Sequence, residues 1–433
     1  MSVEIVHVFY DGLGDPVPVG RLAAHEHKIL FQYTEEFLAL NLRISPYKLP
    51  RKRGIIEGDP GIFEGLHGVF DDSLPDGWGR LLLDRKIREL GQDPWVLTPL
   101  DRLSYVGKHG MGALSYQPEY EAEASDKIDL INHIELDKLA DETQSILEGA
   151  PSEVLDQIYA LAAGSGGARP KILVGCTADK QQLAYGTNNY SDTHQPWIIK
   201  FRGGDLKNGM GDTIDCGAIE FAYSRMAEKA GIDVPETHLF PSKKGPGYFG
   251  AKRFDLVDGQ RHHVHSVCGL LNADYRLPSM SYEMLLRVTR DLTKDQRDVE
   301  QMYRRMAFNV MTSNQDDHTK NFAFMMSSNG KWKNSPGYDI TYSRGVGAEH
   351  AMTVNGKGKG FTGDDLMKVA DCAGIAVVAA KGIIEEVNEA ISTWSDEANT
   401  CGVSKSNIQS IAKTMAPIKT PTKKQHRSQE NDD

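Results

Sequence analysis

No CxxC pair occurs in the chain, and its five cysteines (Cys176, Cys216, Cys268, Cys372 and Cys401) are scattered singly. This argues against a disulfide framework or a zinc knuckle and suits a reducing compartment. No apolar stretch approaches the about 18 residues that a membrane-spanning helix needs. The nearest, around Ala373–Ala380, is short and is followed by Lys381. Met1–Tyr10 alternates like a strand, without the basic-then-apolar character of an export signal. The expected location is cytoplasmic, with no membrane contact. Positive charge is not in excess either: 49 Lys and Arg face 60 Asp and Glu, for a formal net charge of −11. So acidic a chain is a poor autonomous DNA binder, because phosphate neutralisation dominates that affinity. There is no internal repeat.

What is present is an ordinary globular composition, 40% hydrophobic and 25% charged, over 433 residues. That length calls for two or three packed subdomains. Short strands are expected at Glu4–Tyr10 and Lys28–Tyr33, then a turn at Pro75 and its neighbouring glycines, with a helix starting at Leu81–Leu83. Gly107–Tyr116 reads as a loop feeding a strand. The acidic segment Glu119–Ile158 has helical spacing and is expected to bridge two lobes. A glycine-rich stretch, Ala163–Lys171, precedes strands at Ile172–Gly175 and Trp197–Phe201. Ile219, Ala222, Tyr223, Met226 and Ala230 give Ala218–Gly231 a helical stripe that Gly231 terminates. Val299, Met302, Tyr303, Met306 and Val310 form a second stripe that runs into a polar loop at Ser313.

That loop, Asn314-Gln315-Asp316-Asp317-His318-Thr319-Lys320-Asn321, is the most informative stretch of the chain. Asp316 and Asn321 are five residues apart. This is the spacing of a protein-kinase catalytic loop, where the Asp orients the attacking hydroxyl and the Asn holds a metal ion. Phe322–Met325 alternates like a strand, Asn329-Gly330 signals a hairpin turn, and a lone Asp339 follows. In a kinase that order returns the second Asp to the Asn, so that both ligate magnesium between phosphates. Lys200 closes the apolar run Trp197-Ile198-Ile199, and Glu220 sits one helical step off the buried stripe of the next helix, where it could hold Lys200. Gly166, Gly167, Ala168, Arg169, Pro170 and Lys171 offer backbone N–H groups and two cations, a cradle for phosphates.

Other readings of the same residues stay open at this point. Asp316, Asp317 and His318 could belong to a metal-dependent phosphohydrolase, although no upstream partner motif is evident. His263 and His265 share a strand face but have no cysteine beside them, which makes a poor zinc site. Glu220 and Lys200 could be solvated, and Asp317 a structural neighbour of the base.

In order and spacing, the phrases GGARPK (166–171), WIIKF (197–201), AKRFD (251–255), HVHS (263–266), DDHTKN (316–321) and PGYDI (336–340) resemble the HipA family of toxin kinases. LPDGWGR (74–80) is similar to that family's N-terminal region. The resemblance implies an α+β, bilobal protein-kinase-like fold with a strand-rich N-terminal lobe and a helical C-terminal lobe. It implies an ATP- and Mg2+-dependent serine/threonine kinase, the toxin of a toxin–antitoxin pair. Asp316 would be the catalytic residue, Asn321 and Asp339 the metal ligands, and Lys200 the phosphate contact. Lys252, Arg253 and Phe254 would form the hinge that meets adenine, with His318, Lys320 and Tyr338 flanking the nucleotide. The implied partner is a HipB-like helix-turn-helix antitoxin that carries the pair onto operator DNA. The implied substrate is a protein, such as an aminoacyl-tRNA synthetase. A catalytically weak co-repressor subunit is the alternative. The expected divisions are a strand-rich subdomain at 1–118, the nucleotide-binding part of the N-lobe at 119–255, the helical catalytic lobe at 256–415 and a disordered tail at 416–433.

The chain departs from the family in one place. Relatives carry an autophosphorylated Ser seven residues before the glycine-loop lysine, where this chain has Gly164, with Ser165 one place later. If the enzyme silences itself, Ser165 is the acceptor. Mass spectrometry after incubation with Mg-ATP should then find phosphate on Ser165 in the wild type and none in Asp316→Asn. An unmodified loop in a chain that still phosphorylates another protein excludes the idea.

Overall fold

A computed structural model describes residues 3–26, 28–120, 130–131, 133–150, 155, 158–159, 166–186, 188, 190, 192–204, 212–277 and 279–420. Two antiparallel sheets dominate its first part. The N-terminal sheet has the order β4-β3-β2-β1-β5, with β1 at Ile5–Tyr10, β2 at Val17–His25, β3 at Lys28–Tyr33, β4 at Ile55–Glu57 and β5 at Leu114–Gln117. Alternation places Val6, Val8 and Tyr10 of β1 on the buried face, as a half-covered sheet requires. The second sheet has the order β10-β11-β9-β7-β8-β6, from β6 (Leu130–Ile131), β7 (Lys171–Thr177), β8 (Leu183–Tyr185), β9 (His194–Lys200), β10 (Thr237–Phe240) and β11 (Tyr248–Lys252). Lys171 of β7 pairs directly with Lys200 of β9, so both lysines emerge at one end of this sheet.

Helix Cys216–Lys229 comes between β9 and β10 of the second sheet, with Ile219, Ala222, Tyr223 and Met226 buried. Gly231, at φ 76°, lets the chain turn back so that Ile232 N–H reaches the Ala227 carbonyl. After a two-stranded ribbon, β12 (Leu256–Val257) and β13 (Gln260–Arg261), comes a three-stranded sheet of β14 (His263–Ser266), β15 (Ala323–Met326) and β16 (Trp332–Asn334). The rest is helical: Tyr282–Thr293, Gln296–Thr312, Gly363–Cys372, Val377–Ser392, Trp394–Thr400 and Lys405–Ala412.

Several expectations shift. The helix after Pro75 begins at Gly77, not Leu81, because Asp76 already has the extended conformation of a capping position. Helix His133–Leu147 does not bridge lobes. Its Leu136, Leu139 and Ile146 pack into the core of the six-stranded sheet, and Asp137 accepts hydrogen bonds from Ser242 and Tyr248 of the same lobe. Residues 163–165, with Ser165 among them, and 421–433 of the expected tail lie outside the described residues.

Among the described residues the apolar interior divides into two clusters. One joins Trp78, Leu82 and Ile87 of helix Gly77–Glu89 to the six-stranded sheet through Ile172, Trp197 and Ile199. The other runs unbroken from the N-terminal sheet into the helical lobe, from Val6 and Phe31 to Met306 and Val387. The N-terminal sheet thus shares its core with the helices of the C-terminal part. At the seam two short helices, Gly68–Asp71 and Val267–Leu271, touch backbone to backbone. A Cβ on Gly269 would lie 2.4 Å from the Gly68 carbonyl oxygen. Asp72 reinforces the seam, accepting from Ser266 N–H at 2.7 Å and Ser266 O–H at 2.6 Å. Gly269→Ala should therefore cost about 1–3 kcal/mol through overpacking. Denaturant unfolding would show this as a lower midpoint with the slope unchanged.

Candidate active site

The site is assembled by the ends of secondary elements. Helix Gln296–Thr312 stops at Ser313, whose left-handed conformation (φ 58°) throws the following loop across the open end of the six-stranded sheet. That loop is braced from beneath. Asp317 is almost fully buried and accepts from Tyr282 O–H at 2.7 Å and from Ala351 N–H at 2.8 Å, with His350 Nδ1 at 2.8 Å. Asn309 donates to Tyr282 Oη at 3.2 Å, and Asn314 donates to Asn309 Oδ1 at 3.0 Å. With Asp317 turned inward, Asp316 points out, its side chain 61% exposed. Asn321 donates from Nδ2 to the Asp316 carbonyl at 2.7 Å, which closes the turn and leaves its own amide oxygen free to accept.

Facing this loop is a dense ionic centre. Lys200 donates to Glu220 Oε1 at 2.6 Å and also bonds the Asp339 carboxylate. Glu220 is 2% exposed, so it is not a solvated helix residue. Asp339 adopts φ 51°, a left-handed conformation that few residues other than glycine accept readily, and this turns its carboxylate back onto Lys200. Burial alone would raise the Asp339 carboxyl, but the Lys200 and Lys171 ammoniums beside it hold it well below the usual range. The reciprocal holds for Lys200. Burial opposes its charge, yet Asp339 and Glu220 raise its pKa above that of an ordinary lysine.

The glycine-rich loop differs from a simple phosphate cradle. Arg169 is committed to Asp212 at 2.9 Å and Glu220 at 3.4 Å, and Lys171 is buried and bonded to the Gly166 carbonyl. The Gly167 N–H is held by the Asp76 carboxylate. Pro170 is buried and has no N–H, and its carbonyl serves Phe201 N–H at 2.8 Å, so it anchors the sheet. Ala168 is exposed.

The hinge also needs a correction. The Arg253 guanidinium forms a fork with Asp255, at 3.0 and 2.7 Å, and is fully buried there, so this side chain cannot meet a nucleotide. Phe254 remains near the cleft, its ring 5.9 Å from that of Tyr338, while Lys252 stays paired to β9. Tyr338 O–H donates to the Lys320 carbonyl at 2.6 Å, and Lys320 Nζ reaches Asp76 at 2.9 Å. His318 Nε2 lies 3.7 Å from Asp316, and its buried Nδ1 has no partner among the described residues. His263 and His265 are engaged by the Ile44 carbonyl at 2.8 Å and by Asp72 at 2.6 Å, which removes the zinc reading. No group of three or more His, Cys, Asp or Glu among the described residues could hold a metal ion.

The structure thus brings Asp316, Asn321, Asp339, Lys200, Glu220, Lys320 and Tyr338 together across one cleft. Sequence reasoning missed Asp76, Asp212 and His350. For Asp76 a signal existed, since it stands inside the LPDGWGR phrase, but nothing in the sequence showed where that phrase would dock.

Two family profiles cover this arrangement. One, described as the HipA-like C-terminal domain, matches residues 163–394, and the other, the HipA N-terminal domain, matches residues 7–117. The chain belongs to the HipA family. No curated protein sequence matches it. Among solved structures, the Shewanella oneidensis MR-1 toxin–antitoxin complex of HipA, HipB and its operator DNA matches with a TM-score of 0.65 and 17% identity. That match spans 94% of this chain and 95% of that one. The Helicobacter pylori proinflammatory kinase CtkA matches at 12% identity and a TM-score of 0.35, over 52% of this chain and 86% of that one, too low to carry an argument. The fold is that of HipA, an α+β arrangement of antiparallel sheets and a helical C-terminal part.

Among the described residues no helix is long and apolar enough to cross a membrane. The ionic centre gives a direct test of Lys200. A hydrogen bond to a charged group contributes about 1.5–3 kcal/mol, so Lys200→Met should weaken ATP binding roughly 10- to 100-fold. Adenosine, which has no phosphate, should be nearly unaffected in calorimetry. Equal losses for the two ligands would remove Lys200 from the phosphate site.

Proposed function

We propose that this HipA-family chain is an ATP- and magnesium-dependent serine/threonine protein kinase that acts as the toxin of a toxin–antitoxin pair. The observation that carries the reading is the Lys200 ammonium held between Glu220 and Asp339, opposite a loop that bares Asp316 and closes on Asn321. A buried lysine with two carboxylates, a free carboxylate on a rigid turn and an amide oxygen five residues on are the parts that phosphoryl transfer requires.

The donor set fits the two groups the reading calls for. Asn321 and Asp339 offer oxygen ligands, the type that hard divalent cations prefer. Magnesium, when bound, neutralises charge on the triphosphate. Lys200 orients phosphate oxygens, and the Phe254 and Tyr338 rings offer apolar surface to a base. Asp316 orients the acceptor hydroxyl and holds its proton, and Asp317 keeps Asp316 aimed outward by occupying the inward position itself.

The HipA of the Shewanella complex is found with HipB and operator DNA. We propose an equivalent helix-turn-helix antitoxin here, because a chain of net charge −11 reaches DNA best through a basic partner. Among the described residues the phosphohydrolase reading lacks the multi-ligand cluster such enzymes need, since His263, His265 and His350 are spent on structural bonds.

The test is transfer of labelled γ-phosphate to a protein acceptor in a lysate. Asp316→Asn should retain the fold and Mg-ATP affinity but lose transfer about 100-fold or more, because the nucleophile is no longer positioned. Phosphate release without transfer would favour a hydrolase. A wild type that binds its antitoxin and DNA yet transfers nothing would favour a co-repressor subunit.

A further inference from the structure

The LPDGWGR phrase lies in the N-terminal domain, outside the lobes assigned to catalysis, yet its centre reaches the middle of the cleft. Asp76 is the residue just before helix Gly77–Glu89, and its side chain is only 16% exposed. One of its oxygens accepts the N–H of Gly167 in the glycine-rich loop. The other accepts Lys320 Nζ, at 2.9 Å, from the catalytic loop one residue before Asn321. A single carboxylate therefore bridges the two loops that must face each other across a nucleotide.

The approach is built, not incidental. Gly77 has φ 42°, and a Cβ there would lie 2.7 Å from Ala168 Cα and 2.8 Å from the Gly167 carbonyl oxygen. Only glycine allows the helix to press so closely on the loop. The next residue adds two bonds: Trp78 N–H donates to the Gly167 carbonyl at 3.1 Å, and its indole N–H donates to the Lys171 carbonyl at 3.2 Å. On the other side Lys320 is confined by more than Asp76. Its ammonium lies 5.0 Å from the Tyr275 ring centre, and its carbonyl accepts Tyr338 O–H, next to Asp339. Burial opposes the charge on Asp76, but Lys320 and the Gly167 N–H outweigh it and hold its carboxyl below the ordinary range.

We propose that Asp76 is a positioning residue for phosphoryl transfer. From the N-terminal domain it fixes the glycine-rich loop through Gly167 and the catalytic loop through Lys320, and so sets the separation of the two. The proposal rests on the kinase reading above. Asp76 need not touch the reacting atoms; it acts through the loops it holds. Asn at this position keeps an acceptor for Gly167 but loses the charge that captures Lys320.

The experiment is a double-mutant cycle in the full chain with Asp76→Asn, Lys320→Met and the pair, reading labelled transfer to protein alongside Mg-ATP affinity by calorimetry. A misplacement of about 1 Å can cost roughly 100-fold in rate, so Asp76→Asn should lower kcat by about 10-fold or more at a temperature where the variant is folded. The pair should be no worse than the poorer single variant, because both remove one link. Gly77→Ala, which forces the loop away without removing charge, should reproduce the loss of kcat. Additive losses in the pair, or tighter Mg-ATP binding in Asp76→Asn, overturn the proposal, the latter because Asp76 would then be competing with phosphate. If the wild type binds Mg-ATP but transfers nothing, the kinase reading fails. The positioning role falls with it, whereas a wild type that transfers and an Asp76→Asn variant that transfers equally well overturn the positioning role alone. A wild type that binds no Mg-ATP overturns both.

Discussion

A buried ammonium is stable only when its charge is met, and in this protein that requirement ties the lobes together. Lys200 comes from β9 of the six-stranded sheet, Glu220 from the helix between β9 and β10, and Asp339 from the segment after the β15–β16 hairpin. Burial opposes the charge on Lys200, and the Asp339 and Glu220 carboxylates beside it sustain that charge. Their mutual satisfaction holds the end of β9 against the segment after β16, and the left-handed backbone at Asp339 aims its carboxylate at Lys200. Arg169 extends the same logic by sharing Glu220, so the glycine-rich loop is anchored by charge as well as by backbone bonds.

The sequence made much of this legible, for identifiable reasons. Stripes of period 3.6 marked helices Cys216–Lys229 and Gln296–Thr312, although the second is buried on every side from Arg305 to Thr312. The Asp-to-Asn spacing marked a turn that Asn321 closes on the Asp316 carbonyl, and Asn329-Gly330 marked the β15–β16 hairpin, since both are set by short-range chain geometry. The fold and family expected from the six matched phrases hold.

What escaped the sequence was what depends on distant partners. Arg253 stands in a phrase suggestive of nucleotide contact, but two residues on, Asp255 captures its guanidinium in the core, and Gly112 N–H completes that site at 2.8 Å. Strand β2 was missed because its run Val17–His25 contains proline, glycine and arginine, and pairing on both sides stabilises it more than its own propensity does. Arg169 and Lys171 looked like free phosphate-binding cations; the carboxylates and the carbonyl that hold them come from elements 5 to 51 residues away.

The two interior clusters carry a consequence for how the molecule moves. Close packing transmits displacement within a cluster and resists shear inside it, so slippage is cheapest along the boundary. That boundary does not follow the order of the chain. Helix Gly77–Glu89 is threaded through the N-terminal domain but rides with the six-stranded sheet, whereas the N-terminal strands travel with the helical lobe. Any breathing of the cleft must then flex the short link between Asp72, pinned to β14, and Trp78, sealed beneath β7. A crossing so brief acts as a tether of fixed length: it limits how wide the jaws open, and a partner that grips either side of it would feel the state of the other.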